Sequence, residues 1–155
     1  MPQLNKGGKF IFGLSKIQKD LVLQFPEQAI KEYNVNQSNK IIVFTGSKST
    51  GGFCVTNKIM LESSKLAHIL DDLPELANYE LPSGKFIHYK GRSYSWVSIN
   101  IAGRIKIPED MMNFLHLFVD EELLSIRSSD IAFTMGAYGT LLDKASNYKG
   151  EIPKF

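Results

Sequence analysis

The sequence of 155 residues has very little cysteine and no long apolar run. Cys54 is the single cysteine, which excludes an intramolecular disulfide and a cysteine-based zinc cluster. No apolar stretch approaches the ~18 residues that a membrane-spanning helix needs, so no membrane partner is expected. The polar start at residues 1–8 does not have the pattern of a secretory signal. We therefore expect a cytoplasmic protein, whose length suits one domain or two small subdomains.

Residue sets that would support catalysis or metal binding are also lacking. His68, His88 and His116 have no ligand spacing with one another or with a carboxylate motif. The segment TGSKSTGG at 45–52 resembles a phosphate loop, but it lacks the glycines that this motif places directly before the lysine and five residues earlier. The sequence thus predicts no enzyme, no metal site and no cofactor.

Positive charge is densest in one part of the chain. Residues 85–106 contain no acid and five basic residues, with aromatic residues between them. Such a segment either presents a basic surface to phosphates or forms a solvated strand pair with its aromatic residues buried. The five basic residues are Lys85, Lys90, Arg92, Arg104 and Lys106.

The chain contains one short strand–proline–helix–strand unit twice. When Pro26 is placed over Pro108, an offset of 82 residues, the apolar positions on both sides coincide. The alternation before each proline predicts a half-buried strand, and the spacing after it predicts a short helix with one apolar face. Beyond the following strand the register slips by two, so that Phe53 meets Phe133. Neither unit can bury a core alone, so we expect the two to pack as an intramolecular pseudo-dimer.

This pattern predicts an α+β, β-rich fold in three parts. Residues 9–57 form the first repeat, 58–84 a helical connector, and 85–155 the second repeat with its tail. Within the connector we expect a helix over 61–70 and a short helix opened by Pro74. Strands are expected at 85–89 and 94–101, and a further helical turn around 140–145.

The second copy resembles the AbrB/SpoVT/MraZ superfamily. The resemblance rests on Gly103-Arg104, the alternating apolar residues up to Pro108, the short helix after it, and the ending at 131–145. It implies a swapped-hairpin (AbrB-like) β-barrel formed by the two internal repeats. It further implies a transcription regulator whose basic residues contact double-stranded DNA. A homodimer through the connector helices is part of this expectation.

The two copies depart from the family's pattern in their basic residues. Leu21-Val22 replaces the Gly-Arg pair in the first copy, and the paired helix arginines of AbrB are replaced in both copies. Only two positions of the pattern stay basic, Arg104 and Lys31. Arg104 either contacts phosphate or covers a strand and pairs with an acid such as Asp120. The predicted DNA-binding residues are Arg104, Lys106, Arg92, Lys31, Lys16 and Lys19.

A second hypothesis is a scaffold or sensor module with the same barrel that has lost DNA binding. It would bind a protein partner or a small ligand. The missing arginines and the net charge of only +2 favour it. A continuous basic surface on the folded chain would favour the regulator instead.

Overall fold

A computed structural model describes residues 10–139, 142–143 and 152–155. This part of the chain is α+β and rich in strands, as predicted. The nine strands are β1 (Ile11–Lys16), β2 (Val22–Gln24), β3 (Lys40–Thr45), β4 (Phe53–Thr56), β5 (Ile87–Tyr89), β6 (Arg92–Ser98), β7 (Arg104–Lys106), β8 (Glu122–Arg127) and β9 (Phe133–Gly136). The five helices are α1 (Glu27–Tyr33), α2 (Lys58–Glu62), α3 (His68–Asp72), α4 (Pro74–Ala77) and α5 (Glu109–Leu115).

Seven strands form one antiparallel sheet in the order β1-β8-β9-β4-β3-β6-β5. The sheet is open, and the predicted closed barrel is not found in the described ranges. Residues 152–155 lie along the outer edge of β1, where the Leu14 amide donates to the Pro153 carbonyl and the Phe155 amide donates to the Leu14 carbonyl, both at 2.8 Å. This contact protects an edge strand that would otherwise expose its backbone hydrogen-bonding groups.

The remaining two strands, β2 and β7, form a separate antiparallel ribbon. Leu23 is paired with Ile105, and the flanking pairs are Val22 with Lys106 and Gln24 with Arg104. The ribbon therefore joins the two segments that directly precede Pro26 and Pro108.

Elements of the first half recur in the second at the predicted spacing. β2, α1 and β3 begin 82 residues before β7, α5 and β8, and β4 begins 80 residues before β9. Pro26 and Pro108 each directly precede their helix, with φ of −58° and −62°. Both helices end at a left-handed residue, Asn34 at φ 52° and His116 at φ 56°. A left-handed residue at this place ends a helix by turning its backbone away from the axis.

One hydrophobic core contains residues of both halves. Phe133 on β9 contacts three aromatic rings of the first half, with centroid distances of 6.4 Å to Phe12, 5.4 Å to Phe25 and 5.3 Å to Tyr33. The three phenylalanines are fully buried. Because these rings pack edge-on or tilted, they fill the space between the sheet, the ribbon and the two helices.

The connector forms three short helices, and the predicted continuous helix over 61–70 is wrong. The chain leaves α2 after Glu62, and the Ser64 hydroxyl donates to the Leu61 carbonyl and accepts from the Leu66 amide. Serine side chains compete with the helical backbone in this way, which breaks the helix. α4 begins at Pro74, as predicted. The expected helical turn around 140–145 lies largely outside the described residues. None of the described helices has the length and hydropathy to cross a bilayer.

Candidate nucleic-acid interface

The ribbon of β2 and β7 presents one apolar and one polar side. Side chains alternate along a strand, so the central pair Leu23 and Ile105 points inward and is buried. The four flanking residues share the opposite side: Val22 and Gln24 are half-buried, and Arg104 and Lys106 are exposed. Two predicted DNA-binding residues therefore extend side by side from the ribbon.

Arg104 is held by its neighbour across the ribbon. Its Nε donates to Oε1 of Gln24 at 2.8 Å, and Nε2 of Gln24 donates to the Ala102 carbonyl at 2.8 Å. The Arg104 amide donates to Oδ1 of Asn100 at 2.9 Å. A guanidinium held through Nε keeps further N–H donors at its outer end for an anion.

Gly103 sets the position of this arginine. Its φ is +81°, and a Cβ added there would lie 2.0 Å from Cδ1 of Ile30 on α1. Glycine adopts this positive φ without strain, and any larger residue would require the Ile30 side chain to move. Leu21, at the equivalent position of the first half, also has a positive φ of 66°.

Two grooves border the ribbon, and Lys19 lines both. The first, which we call the arginine groove, has a volume of about 740 Å³ and is lined by Gln18, Lys19, Asp20, Val22, Gln24, Arg104, Asp120 and Phe155. The second, the proline groove, has about 530 Å³ and is lined by Lys19, Asp20, Leu21, Ser83, Ser98, Lys106, Ile107, Pro108 and Glu109. Lys19 therefore connects the surroundings of Arg104 with those of Lys106.

Acidic residues are interspersed among these cations. Asp20 lines both grooves, and Asp120 lines the arginine groove. Nζ of Lys16 lies 3.8 Å from Oδ1 of Asp120, with both side chains more than half exposed. Lys16, rather than Arg104, is thus the ion-pair partner of Asp120. The surface carries a modest positive excess, not a continuous basic field.

The other two predicted residues lie apart from the grooves. Lys31 on α1 forms an exposed ion pair with Glu27 at 3.2 Å. Arg92 begins β6, and Ser98 at the end of that strand lines the proline groove. Six residues of extended chain separate them by about 20 Å. The described structure therefore brings together Lys16, Lys19, Arg104 and Lys106.

Gln24 is the residue of this site that sequence reasoning missed. A signal for it was present, because the two proline-preceding strands are repeats of each other. If equivalent residues Leu23 and Ile105 pair in antiparallel fashion, Gln24 must lie opposite Arg104.

The described residues contain few groups that suit metal binding, nucleophilic catalysis or phosphate binding by a loop. No cluster of three His, Cys, Asp or Glu side chains that could hold a metal occurs there. Cys54 is buried on β4, with its Sγ 3.4 Å from the Thr134 hydroxyl. Residues 46–52 connect β3 and β4 as a hairpin loop.

Comparison with known proteins gives no further guide. Neither a protein-family model nor a curated protein sequence matches this chain.

Proposed function

We propose that this chain is a cytoplasmic DNA-binding regulator of AbrB/SpoVT type, and that the ribbon of β2 and β7 contacts the phosphates of double-stranded DNA. The observation that carries the proposal is the joint exposure of Arg104 and Lys106 on one side of the ribbon. Lys19 extends the same surface through both grooves. Lysine and arginine at such positions bind DNA by neutralising phosphates and releasing counterions.

The strand pairing supports a swapped-hairpin arrangement of two repeats. β1 of the first half pairs with β8 of the second, and β6 of the second half pairs with β3 of the first. Leu23 faces Ile105 in the ribbon, and Cys54 faces Thr134 between β4 and β9. Equivalent residues that face each other in antiparallel strands are what a two-fold relation between repeats produces.

The small number of cations sets the expected strength of binding. Phosphate contacts orient a protein on DNA, whereas sequence choice requires contacts to base edges or to groove shape. Arg104 has a guanidinium that can reach a guanine edge, and Lys19 and Lys106 supply phosphate contacts. We therefore expect weak, strongly salt-dependent binding with a limited sequence preference.

The test is a titration of labelled mixed-sequence duplex DNA at rising salt. Arg104→Ala with Lys106→Ala removes two exposed charges from the ribbon. The matched control, Lys48→Ala with Lys65→Ala, removes two exposed charges elsewhere. The ribbon variant should bind at least about tenfold more weakly, and its log–log salt slope should fall by about 2. The proposal would be wrong if both variants lost the same amount of affinity for DNA, or if the intact protein did not bind DNA at low salt.

A scaffold or sensor module is the second candidate function. The acids Asp20, Asp120 and Glu109 line the grooves beside the ribbon, so its basic surface is not continuous, which favours this second candidate over the regulator. The exposed Phe114, Phe118 and Val119 form an apolar segment suited to a protein partner. Absence of DNA binding at low salt by a folded protein would favour this candidate. The predicted homodimer through the connector remains a separate proposal, which sedimentation analysis would test.

A further inference from the structure

A further cavity lies between the connector, the β5–β6 hairpin and the connection from β8 to β9. Its volume is about 420 Å³, within the range typical of small-molecule sites. It is lined by Phe44, Leu61, Leu66, His68, Ile69, Tyr89, Lys90, Arg92, Tyr94, Ser128, Ser129, Ile131 and Ala132. We call it the aromatic cavity.

Apolar and aromatic side chains form most of its wall. Leu61 and Ile69 are almost completely buried, and they belong to the core that joins the connector to the sheet. The ring of Tyr94 lies 5.5 Å from that of Phe44 and 6.4 Å from that of Tyr89, measured between centroids. A hydrophobic or aromatic body placed here would exchange water for ring and aliphatic contacts.

Positive groups lie at the side of the cavity that the β5–β6 turn forms. The guanidinium carbon of Arg92 is 5.4 Å from the centre of the Phe44 ring, and its Nη1 donates to the Thr45 carbonyl at 3.1 Å. Nζ of Lys90 is 5.3 Å from the centre of the Tyr89 ring. These contacts fix both cations over aromatic rings, where they remain able to bind an anion.

No acidic side chain lines the aromatic cavity among the described residues. Outside the lining, Asp72 accepts the hydrogen bond of the Tyr89 hydroxyl, and this hydrogen bond raises the pKa of the tyrosine. The tyrosine therefore stays neutral at ordinary pH, and the charge of the wall comes from Lys90 and Arg92. Ser128 and Ser129 add polar groups to the lining.

We propose that the aromatic cavity binds a small organic anion that has an aromatic or aliphatic body and a carboxylate, sulfonate or phosphate head. The body lies on Phe44, Ile69 and Tyr94, and the head group lies between Arg92 and Lys90. The site is separate from the ribbon, and its ligand binding does not depend on DNA binding. Arg92, which sequence reasoning placed with the DNA-contacting residues, is assigned to this cavity instead.

The experiment compares two fluorescent probes with the same aromatic body. 1-Anilinonaphthalene-8-sulfonate carries an anionic head, and N-phenyl-1-naphthylamine has none. The affinity of the full chain for both probes is measured with Arg92→Met, Lys90→Met and the control Lys85→Met, all at exposed positions. Each cavity variant should lose about tenfold in affinity for the sulfonate and keep its affinity for the neutral probe within about twofold, whereas the control should change neither.

Two further variants locate the binding of the aromatic body. Leu66→Ser alters the cavity wall, and Phe118→Ser alters an exposed apolar segment outside the cavity that could also attract such probes. Leu66→Ser should weaken the binding of both probes, and Phe118→Ser should leave the affinity for both unchanged. The proposal is overturned if neither Arg92→Met nor Lys90→Met weakens the sulfonate, or if Phe118→Ser removes the binding that Leu66→Ser leaves intact.

Discussion

The side chain of Gln24 connects Arg104 to the backbone of the turn before it: Oε1 accepts from the arginine Nε at 2.8 Å, and Nε2 donates to the Ala102 carbonyl at 2.8 Å. The two residues lie opposite each other in the ribbon, one from each half of the chain. An exposed arginine is normally free to adopt many rotamers, and this contact restricts it. Pre-organisation of that kind increases affinity without adding a contact to the ligand.

The first prediction concerns this contact. Gln24→Ala should weaken DNA binding by about threefold to tenfold, since Arg104 must then be ordered on binding at a cost of about 0.5–1.5 kcal/mol. The salt slope should stay the same, because no charge has been removed. Gln28→Ala, an exposed position on α1, is the control. A Gln24→Ala protein that binds DNA like the control would show that the amide does not orient the arginine.

The second prediction tests the steric role of Gly103. Gly91 in the β5–β6 turn also has a positive φ, but a Cβ there would meet nothing within 4 Å. Gly91→Ala should lower the free energy of unfolding by about 1–2 kcal/mol through backbone strain alone. Gly103→Ala should lower the free energy of unfolding by ~1–3 kcal/mol more than Gly91→Ala does, because the added Cβ overlaps the Ile30 side chain.

Urea unfolding of both glycine variants measures this difference. Ile30→Ala removes the overlapping atoms, so the double variant with Gly103→Ala should lose less stability than the two single losses added together. Equal losses for the two glycine variants would mean that Ile30 moves aside without cost.

The third prediction is that the two halves unfold together. Phe133 of the second half packs on Phe12 and Phe25 of the first, so its removal affects a common core. Phe133→Ala should cost about 3–5 kcal/mol in a single cooperative transition. Phe118→Ala, at a residue 62% exposed, should stay within about 0.5 kcal/mol of the intact protein. Two separate transitions seen by calorimetry would refute a common core.

The fourth prediction is a loss of stability at alkaline pH that Tyr33 controls. Burial raises the pKa of Tyr33 from 10 to about 12, and its hydroxyl donates to the Ser129 carbonyl at 2.7 Å. Between these two pKa values the unfolded chain has lost the phenol proton while the folded chain keeps it. Unfolding then releases a proton, so stability present below pH 10 is lost as the pH rises toward 12.

Tyr33→Phe isolates this contribution. At about pH 9 the variant should be less stable by about 1 kcal/mol, since it lacks the hydrogen bond. This difference should shrink or reverse by about pH 11, because the phenylalanine does not titrate. Chemical unfolding of both proteins across this range gives the measurement, and a difference that is constant with pH would contradict the prediction.

Local features of the fold followed from local sequence. The prolines and the apolar spacing after them predicted where α1 and α5 lie, because a proline acts through its own backbone conformation. Asn34 ends α1 in the left-handed conformation, which asparagine tolerates better than most residues. The helix predicted over 61–70 failed at Ser64, where a side-chain hydrogen bond outweighs the apolar period.

Pairing between segments far apart in the sequence could not be predicted in the same way. Nothing in residues 152–155 indicates that they lie along β1, since a strand edge accepts any extended segment with suitable backbone geometry. The location of Arg92 could not be predicted for the same reason. Its positive charge suggested that it lies near Arg104, but the charge of a residue does not show which groove the end of its strand borders.

The most direct test of the ribbon as the DNA-contacting surface is the change in backbone amide NMR shifts when duplex DNA is added at low salt. The largest changes are expected at residues 18–24 and 102–107, and they should be lost in the variant with Arg104→Ala and Lys106→Ala. Changes confined to other surfaces, or no changes at low salt, would contradict this expectation.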